Sequence, residues 1–574
     1  MPAKKISQLN PAITPLGATD VLPLSQADGV TRKAQISDLG ANKADHIVVT
    51  LDANSTANPS AVDIGYAVVA IATVYDINNT VLQGKVITWT SSDATKASVD
   101  VNSGVVTGIA LGSVVITATC DSVITGTITL AVQAAPYLWF RPSRGDNFAS
   151  LGTTVSSANK TYWDANGIVR TVGANVPRDR HVVNGRTGLL IEGLGWQQQT
   201  LQTEDFSNAA WTKTSCTIDA GSVVGPDGNT YTGVLGIKPA QGNITLANGT
   251  LHVFQGGYTT VGLGYVMTGI FVKFNMTNIL LIQFKNRDGS FTNNWFNAAT
   301  NTWFAHASAT TSPVSYQLGN GWWFLSVSNN AITNLNNNPM SVAYGFVDST
   351  SNTNSNASGQ NIAGWLWGGQ FVSQMFGARS YVKATTVPVT VVDDVLKFTI
   401  SGWTPGEKTI YSRDTDVGGV VDASKTSEGN PMMWAVGAST AAASSQFFRT
   451  ALSATGAWNF FSTESTGNYG IANVTPAIGT NNWGDQYETR LTISLATAYE
   501  GAQRFSKYPG TVNAVVPEFC TTQAQPGGSY RVAYSTTTVC LCQTGANLQR
   551  GIMFLEEFKV HPTVVSTIPD ARLL

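Results

Sequence analysis

At 574 residues the chain is too long for one hydrophobic core, and its length predicts several domains of about 100–200 residues each. Charged residues make up only 12% of the sequence and the formal net charge is −2, which gives no basic field for nucleic acid. No run approaches the ~20 apolar residues of a membrane span, and no signal peptide follows Met1, so neither membrane insertion nor secretion is expected. Glycine (55 residues), tryptophan (15) and tyrosine (17) accompany many β-branched residues, which favours sheets. The predicted fold class is all-β, a multidomain chain of β-sandwiches.

Residues 1–45 are predicted to be an anchor segment, because they hold too few apolar residues for a core of their own. The phrases at 5–9 (KISQL), 17–26 (GATDVLPLSQ) and 36–39 (ISDL) resemble the N-terminal segment of phage tail-fibre and virion appendage proteins. That resemblance implies docking on other virion proteins, with order gained on binding. A disordered tail is the alternative. The anchor residues are predicted to be Ile6, Leu9, Asp20, Leu22, Ile36 and Leu39.

Residues 46–134 alternate between apolar and polar positions at 47–51, 67–74 and 86–90, a pattern typical of sandwich strands. The run at 87–93 (ITWTSSD), the turn glycines and the last strand at 112–119 resemble the bacterial immunoglobulin-like group 2 domain. The resemblance implies a spacer module in which Trp89 belongs to the core.

Residues 135–199 are predicted to be a β-rich connecting segment. The phrases at 161–170 (TYWDANGIVR) and 188–193 (GLLIEG) resemble a segment that precedes carbohydrate-binding-like sandwiches in phage minor structural and spike proteins.

Residues 200–395 are predicted to form a jelly roll, with strands at 266–273, 280–284 and 321–328. The closing phrase at 366–371 (LWGGQF) resembles the last strands of carbohydrate-binding-module-like phage domains.

Residues 396–574 are predicted to form a second sandwich, opened by the strand at 395–403 and closed by the one at 551–562. The order of its elements is similar to concanavalin-like or laminin-G-like lectin domains at phage fibre tips.

The sequence shows no Gly-x-Ser-x-Gly elbow, zinc-ligand spacing or phosphate loop. The adjacent pairs Asp393-Asp394 and Glu556-Glu557 point to opposite faces if they lie on strands, so neither predicts an acid/base dyad. A calcium loop at 414–418 is weighed against an ordinary acidic turn, and the turn is favoured. We therefore expect no enzyme activity, no cofactor and no metal.

Sugar binding has a physical basis in the tryptophans, since the CH face of a pyranose packs on an aromatic ring. Trp295 and Trp303 lie among Asn and Thr residues, which favours exposure. Trp322 and Trp323 are adjacent, so a regular strand turns one inward and one outward. These four are the predicted glycan-binding residues, and the further candidates are Trp365, Trp367, Trp434, Trp458 and Trp483.

Together these features predict a phage tail-fibre or tailspike subunit that attaches to a host-surface polysaccharide without catalysis. A homotrimer is expected from the resemblance, and the virion is the expected location after synthesis in the host cytoplasm. A head fibre or capsid decoration protein uses the same modules and remains an alternative. A polysaccharide depolymerase is the other alternative, with carboxylates brought together between subunits.

Overall fold

The computed structural model divides the chain into two compact units, one containing residues 1–136 and the other spanning residues 137–564. The structure describes residues 21–25, 31–35, 43–52, 61–193, 195–214, 216–239, 244–245, 253–258, 264–286, 289–304, 311–332, 340–347, 353–354, 362–373, 376–377, 380–400, 408–419, 432–436, 447–450, 458–464, 467–474, 486–493, 501–508, 516–520, 538–541 and 551–562. Among these, no helix is long and apolar enough to cross a membrane. The fold is all-β, as predicted.

The predicted anchor segment contains an antiparallel hairpin of β1 (Val21–Ser25) and β2 (Thr31–Gln35), in which Leu22 pairs with Ala34. The other predicted anchor residues lie outside the described part of the chain: Ile6, Leu9, Asp20, Ile36 and Leu39.

The next strands form a sandwich of two four-stranded sheets, ordered β3-β5-β8-β7 and β4-β10-β9-β6. Their bounds are β3 His46–Leu51, β4 Ala61–Asp63, β5 Ala67–Tyr75, β6 Ile87–Ser91, β7 Ala97–Val99, β8 Val105–Gly108, β9 Gly112–Cys120 and β10 Ile124–Gln133. Trp89 is 5% exposed and packs in the core between the sheets, as predicted. Gly104 (φ +72°) lies against this ring, and a Cβ there would come within 2.6 Å of the Ala70 carbonyl oxygen.

Unit 137–564 contains one short helix, α1 (Phe148–Leu151), two 3₁₀ turns (Pro142–Arg144 and Gly319–Gly321) and the following strands within its described residues. Between residues 137 and 200 lie β11 Leu138–Phe140, β12 Gly152–Val155, β13 Thr161–Trp163, β14 Val169–Thr171, β15 Arg178–Val183, β16 Arg186–Glu192 and β17 Trp196–Gln198. Then come β18 Thr212–Lys213, β19 Cys216–Ile218, β20 Ser222–Val224, β21 Thr230–Thr232, β22 Gly236–Pro239, β23 Ile244–Thr245, β24 Val253–Tyr258, β25 Gly264–Phe274, β26 Ile279–Lys285, β27 Phe291–Asn297, β28 Thr302–Phe304, β29 Thr311–Gln317, β30 Trp322–Ile332, β31 Met340–Val347, β32 Thr353–Asn354, β33 Gly364–Ser373 and β34 Phe376–Gly377. The last group is β35 Val389–Val391, β36 Val395–Thr399, β37 Lys408–Gly419, β38 Met432–Val436, β39 Phe447–Thr450, β40 Trp458–Glu464, β41 Gly467–Val474, β42 Gln486–Ile493, β43 Gly501–Tyr508, β44 Val516–Cys520, β45 Thr538–Leu541 and β46 Gly551–His561.

A jelly-roll-like sandwich of two six-stranded sheets occupies the middle of this unit. The sheets are ordered β18-β24-β31-β26-β27-β28 and β19-β22-β33-β25-β30-β29. Alternate residues of β26, such as Leu280 and Ile282, face the second sheet and are fully buried. Strand β25 of the second sheet is buried on both faces, since consecutive residues Ile270 and Phe271 are each at most 1% exposed.

The second sandwich pairs a sheet ordered β15-β16-β46-β37-β42-β43-β44, which β11 and β34 join from the side, with one ordered β12-β36-β45-β38-β39-β40-β41. Strand β46 is central, because β16 and β11 pair with one of its edges and β37 with the other. Phe140, Phe148 and Phe398 pack together in the core of the second sandwich.

The segment 135–199, expected to be a connection, instead supplies four strands to the second sandwich: β11, β12, β15 and β16. The sandwich is thus built from two separate stretches of chain, with the jelly roll between them in sequence. The physical reason is edge pairing: the backbone groups of β46 and β36 need partners, and strands more than 200 residues earlier provide them.

Candidate functional site

Trp322 and Trp323 point to opposite faces of β30, as their adjacency predicts, but protein covers both faces. Trp322 is fully buried and its Nε1 donates to the Val224 carbonyl oxygen at 3.0 Å. Trp323 is half-buried, with its ring centroid 5.1 Å from that of Phe296. Trp322 is therefore a core residue in this fold, and no ring face is left for a sugar.

Trp303 also packs against the core. It is the cross-strand partner of Phe296 in the β27–β28 hairpin, and the two ring centroids are 5.2 Å apart. Trp295 lies on the opposite face of the sheet, half-buried beside Leu281 and Val347. The exposure expected for these two rings is only partial, and a glycan role for Trp295 stays a prediction. Trp483 lies outside the described residues.

A cavity of about 470 Å³ lies where the β13–β14 hairpin, the β20–β21 hairpin, β33 and the chain after residue 380 meet, which is within the size range of ligand pockets. We call it the tyrosine pocket. Its lining residues are Asn159, Thr161, Val169, Thr171, Glu204, Asp227, Asn229, Tyr231, Trp367, Tyr381, Lys383 and Thr385.

Aromatic rings form the base of the tyrosine pocket. Trp367 and Tyr381 are each 2% exposed, with ring centroids 4.4 Å apart, and Tyr231 is half-buried at 6.4 Å from Trp367 in an edge-on arrangement. The Trp367 Nε1 is buried without an acceptor at hydrogen-bonding geometry. Because Trp367 and Tyr381 are almost fully buried, little of either ring is open to a sugar, so recognition here depends more on hydrogen bonds than on stacking.

Glu204 is the polar centre of the pocket and is 10% exposed at its side chain. Its Oε1 accepts from the Tyr381 hydroxyl at 2.8 Å, and its Oε2 accepts from Lys383 Nζ at 2.5 Å. Burial, followed by the negative charge of Glu204, raises the pKa of Tyr381 well above its usual range. The phenol therefore stays protonated at neutral pH and donates to the carboxylate.

Asp227 is the second carboxylate of the pocket. Its Oδ2 accepts from the Tyr231 hydroxyl at 2.8 Å and from Asn229 Nδ2 at 2.7 Å. The same hydroxyl lies 3.3 Å from Glu204 Oε2, so one phenol bridges the two carboxylates. Burial and then the charge of Glu204 raise the pKa of Tyr231, so this phenol also stays protonated at neutral pH.

Two threonines hold Tyr381 in place at the base of the pocket. Thr161 Oγ1 donates to the Tyr381 carbonyl oxygen at 3.0 Å and accepts from the Tyr381 backbone N–H at 2.8 Å. Thr203 Oγ1 lies 2.6 Å from the Tyr381 hydroxyl. Chain segments that are about 180–220 residues apart in sequence thus hold one ring.

Directly behind the pocket, four charged side chains are buried together: Lys160, Arg178, Glu192 and Asp394. Lys160 Nζ donates to Asp394 Oδ1 at 2.7 Å, and Arg178 binds both carboxylates. Burial alone would lower the pKa of Arg178, but the adjacent Asp394 and Glu192 raise it. Two positive and two negative charges cancel, so the cluster adds no net charge next to the pocket.

The part of the chain that the structure describes contains no group of three His, Cys, Asp or Glu side chains able to hold a metal ion. The acidic positions Asp414 and Asp416, expected in a turn, lie within strand β37. The reason is that β37 runs between β42 and β46 and continues through these residues. Glu556 and Glu557 have separate partners, Arg186 at 2.7 Å and Trp139 Nε1 at 2.8 Å, respectively.

Comparison with known proteins assigns the first sandwich. Residues 50–130 match the family model described as bacterial Ig-like domain (group 2). This module is similar to bacterial Ig-like domains of group 2. The match covers that module alone, and no curated protein matches the sequence.

Solved structures of other β-sandwich proteins superpose only loosely. A carbohydrate-binding module from the β-sandwich superfamily is 11% identical, covers 53% of this chain and 98% of its own, and has a TM-score of 0.13. Domains LG4-5 of the mouse laminin α1 chain are 8% identical, cover 64% and 95%, and have a TM-score of 0.16. Trypanosoma rangeli sialidase in complex with sialic acid is 11% identical, covers 96% and 95%, and has a TM-score of 0.19. Scores this low carry no functional argument, so the function must rest on the pocket.

Sequence reasoning weighed Trp367 but missed the other key residues of the pocket: Glu204, Asp227, Tyr231, Tyr381 and Lys383. No local motif marks them, because they lie on segments up to 179 residues apart.

Proposed function

We propose that the tyrosine pocket binds a saccharide and that the chain is a glycan-binding protein without catalytic activity. The pocket itself carries this proposal. Its volume of about 470 Å³ suits one or two sugar rings, and its wall presents carboxylates, amides and hydroxyls to a polyol. The exposed rim residues Asn159, Asn229 and Lys383 leave the cavity accessible from solvent.

Tyr231→Phe tests the pocket directly, since it removes the hydroxyl that bridges Glu204 and Asp227 without changing the ring. We expect about tenfold weaker binding of host-surface glycan, because the two carboxylates lose the donor that holds them in place for the ligand. Tyr75→Phe in the Ig-like module is the matched control and should bind as the unchanged protein does. If Trp295→Ala weakens binding while Tyr231→Phe does not, the glycan lies on the outer face of the β26–β27 sheet and the pocket assignment fails.

Hydrolysis is the second candidate, because Glu204 and Asp227 approach the same phenol and glycoside hydrolysis uses a pair of carboxylates. Binding is favoured since both carboxylates already accept hydrogen bonds from tyrosine, lysine or asparagine donors, and neither donates one. Incubation with capsule or lipopolysaccharide should shift the mobility of the glycan on a gel without shortening it. Release of new reducing ends would favour the depolymerase.

We further propose that the chain is a fibre or spike subunit of a phage particle, a homotrimer that docks on other virion proteins through residues 1–45. The resemblance of that segment to virion appendage proteins and the Ig-like spacer beside it support this. Deleting residues 1–45 should leave a folded protein that no longer joins the particle; normal incorporation of the truncated chain would contradict this. Electron micrographs of particles labelled for this chain distinguish a tail position from a head position.

A further inference from the structure

The wall of the tyrosine pocket carries more negative than positive charges. Of its lining residues, Glu204 and Asp227 are negative and Lys383 is positive, so the wall carries a net charge of −1. Lys383 sits at the rim with its side chain 57% exposed, whereas Glu204 is 10% exposed. Solvent therefore weakens the positive charge of Lys383 more than the negative charge of Glu204.

Asp227 has no basic partner among the described residues. Its contacts are all neutral donors: the Tyr231 hydroxyl, Asn229 Nδ2, and the Asn229 backbone N–H at 3.0 Å from Oδ1. A carboxylate has about four acceptor positions, so Asp227 keeps capacity for a donor from a ligand. The buried cluster behind the pocket is neutral overall and does not offset this charge.

We infer that the tyrosine pocket selects a sugar unit with a free amino group and excludes acidic sugars, a specificity that rests on the proposed glycan binding. An ammonium group brings three donors and a positive charge to a wall that offers two carboxylates. A uronic or sialic acid would place a third carboxylate beside Glu204 and Asp227, where like charges repel and desolvation is costly. Neutral sugars satisfy the amides and hydroxyls but gain no charge interaction.

Two matched series of sugars test this with the full chain at pH 7 and low salt: methyl glycosides of glucosamine, glucose and glucuronic acid, and their galacto counterparts. In a series that binds, we expect the amino sugar to bind about tenfold tighter than the neutral one, the effect of one charge-assisted hydrogen bond. The acid should bind at least about tenfold more weakly than the neutral sugar. Equal or tighter binding of the acidic or neutral member overturns the specificity but leaves glycan binding standing. If no member of either series binds and host glycan also fails to bind, the proposed function itself fails.

Substitutions in the pocket test which residues cause the preference for an amino sugar. Asp227→Asn keeps the shape and removes the charge, so it should abolish the amino-over-neutral preference while neutral sugar still binds. Glu204→Gln is the second variant, in case Asp227→Asn also loses neutral sugar. Lys383→Gln should tighten binding of the amino sugar, because it removes the competing cation at Glu204. Asp121→Asn and Lys85→Gln, an ion pair in the Ig-like module, are the matched controls. An unchanged preference in both carboxylate variants would overturn the inference.

Discussion

Four buried charges behind the pocket show how single residues organise unit 137–564. Lys160 and Glu192 are fully buried, and Ser380, the neighbour of Tyr381, donates to Glu192 through both its N–H and its hydroxyl at 2.8 Å. The cluster thereby ties the β13, β15 and β16 strands to the chain segments at 380 and 394. Sequence reasoning noted Asp394 only as half of an adjacent acidic pair, because its partners are more than 200 residues away.

Asp394→Asn should therefore be costly. It leaves Lys160 and Arg178 buried with one carboxylate between them, and breaking a buried ion pair from one side destabilises by about 3–5 kcal/mol. Asp121→Asn, which breaks the exposed pair with Lys85, should change stability by at most about 1 kcal/mol. Denaturant unfolding of the full chain measures both. Similar small losses for the two variants would show that the buried cluster contributes little.

His181 provides a pH-dependent test at the same scale. Its Nδ1 accepts from the Trp163 backbone N–H at 3.0 Å, and burial followed by the charge of Arg178 lowers its pKa from 6.5 to about 3. Between pH 3 and pH 6.5, the His181 imidazole is therefore protonated in the unfolded chain but neutral in the folded one. The free energy of unfolding should therefore fall as pH drops from about 6.5 towards 3, by up to about 1.4 kcal/mol per pH unit from this residue.

His181→Asn isolates that contribution, because an amide oxygen can replace Nδ1 as the acceptor but does not titrate. The stability advantage of the unchanged protein over the variant should shrink between pH 7 and pH 5 in denaturant titrations. Parallel pH curves for the two proteins would contradict the assignment.

At the scale of single elements, a strand can be predicted where its pattern of apolar residues lies within one short stretch of sequence. The phrase at 366–371 predicts a strand, and the structure has β33 there. The sequence does not reveal its bulge, since the register shift between Gly269 and Phe271 depends on the partner strand β25. Gly368 lies in this bulge with φ +67°, which favours glycine. The bulge sets the position of Trp367 at the base of the pocket.

Gly368→Ala should disturb the pocket through this bulge. Its Cβ would come within 2.9 Å of Phe271 Cδ2 and 3.2 Å of the Tyr381 ring, so overpacking adds about 1–3 kcal/mol to the backbone strain. Glycan affinity and melting temperature should both fall. Gly289→Ala is the control, because Gly289 also has positive φ (+85°) but open space around it. Equal effects of the two substitutions on affinity would show that the bulge does not position the pocket.

At the scale of the whole molecule, sequence phrases predict separate modules but do not reveal that the second sandwich takes strands from two distant stretches of chain. A cut before residue 200 would remove β11 to β17, and with them Asn159 and Thr161 of the pocket and Lys160 of the buried cluster. It would also expose both the β46 edge and the β36 edge. The boundary at 136/137 leaves every described strand of the second unit with its partners.

A chain of residues 137–574 should therefore fold and bind glycan nearly as well as the full chain, whereas residues 1–136 should not bind. A chain of residues 200–574 should be unstable or aggregate, because unpaired strand edges and a broken ion cluster remain. Size-exclusion chromatography, thermal melting and glycan binding compare the three pieces. Normal folding and binding by residues 200–574 would show that the early strands contribute neither to the second sandwich nor to the pocket. Glycan binding by residues 1–136 would instead place a site in the first unit, and the tyrosine pocket would lose its role as the principal site.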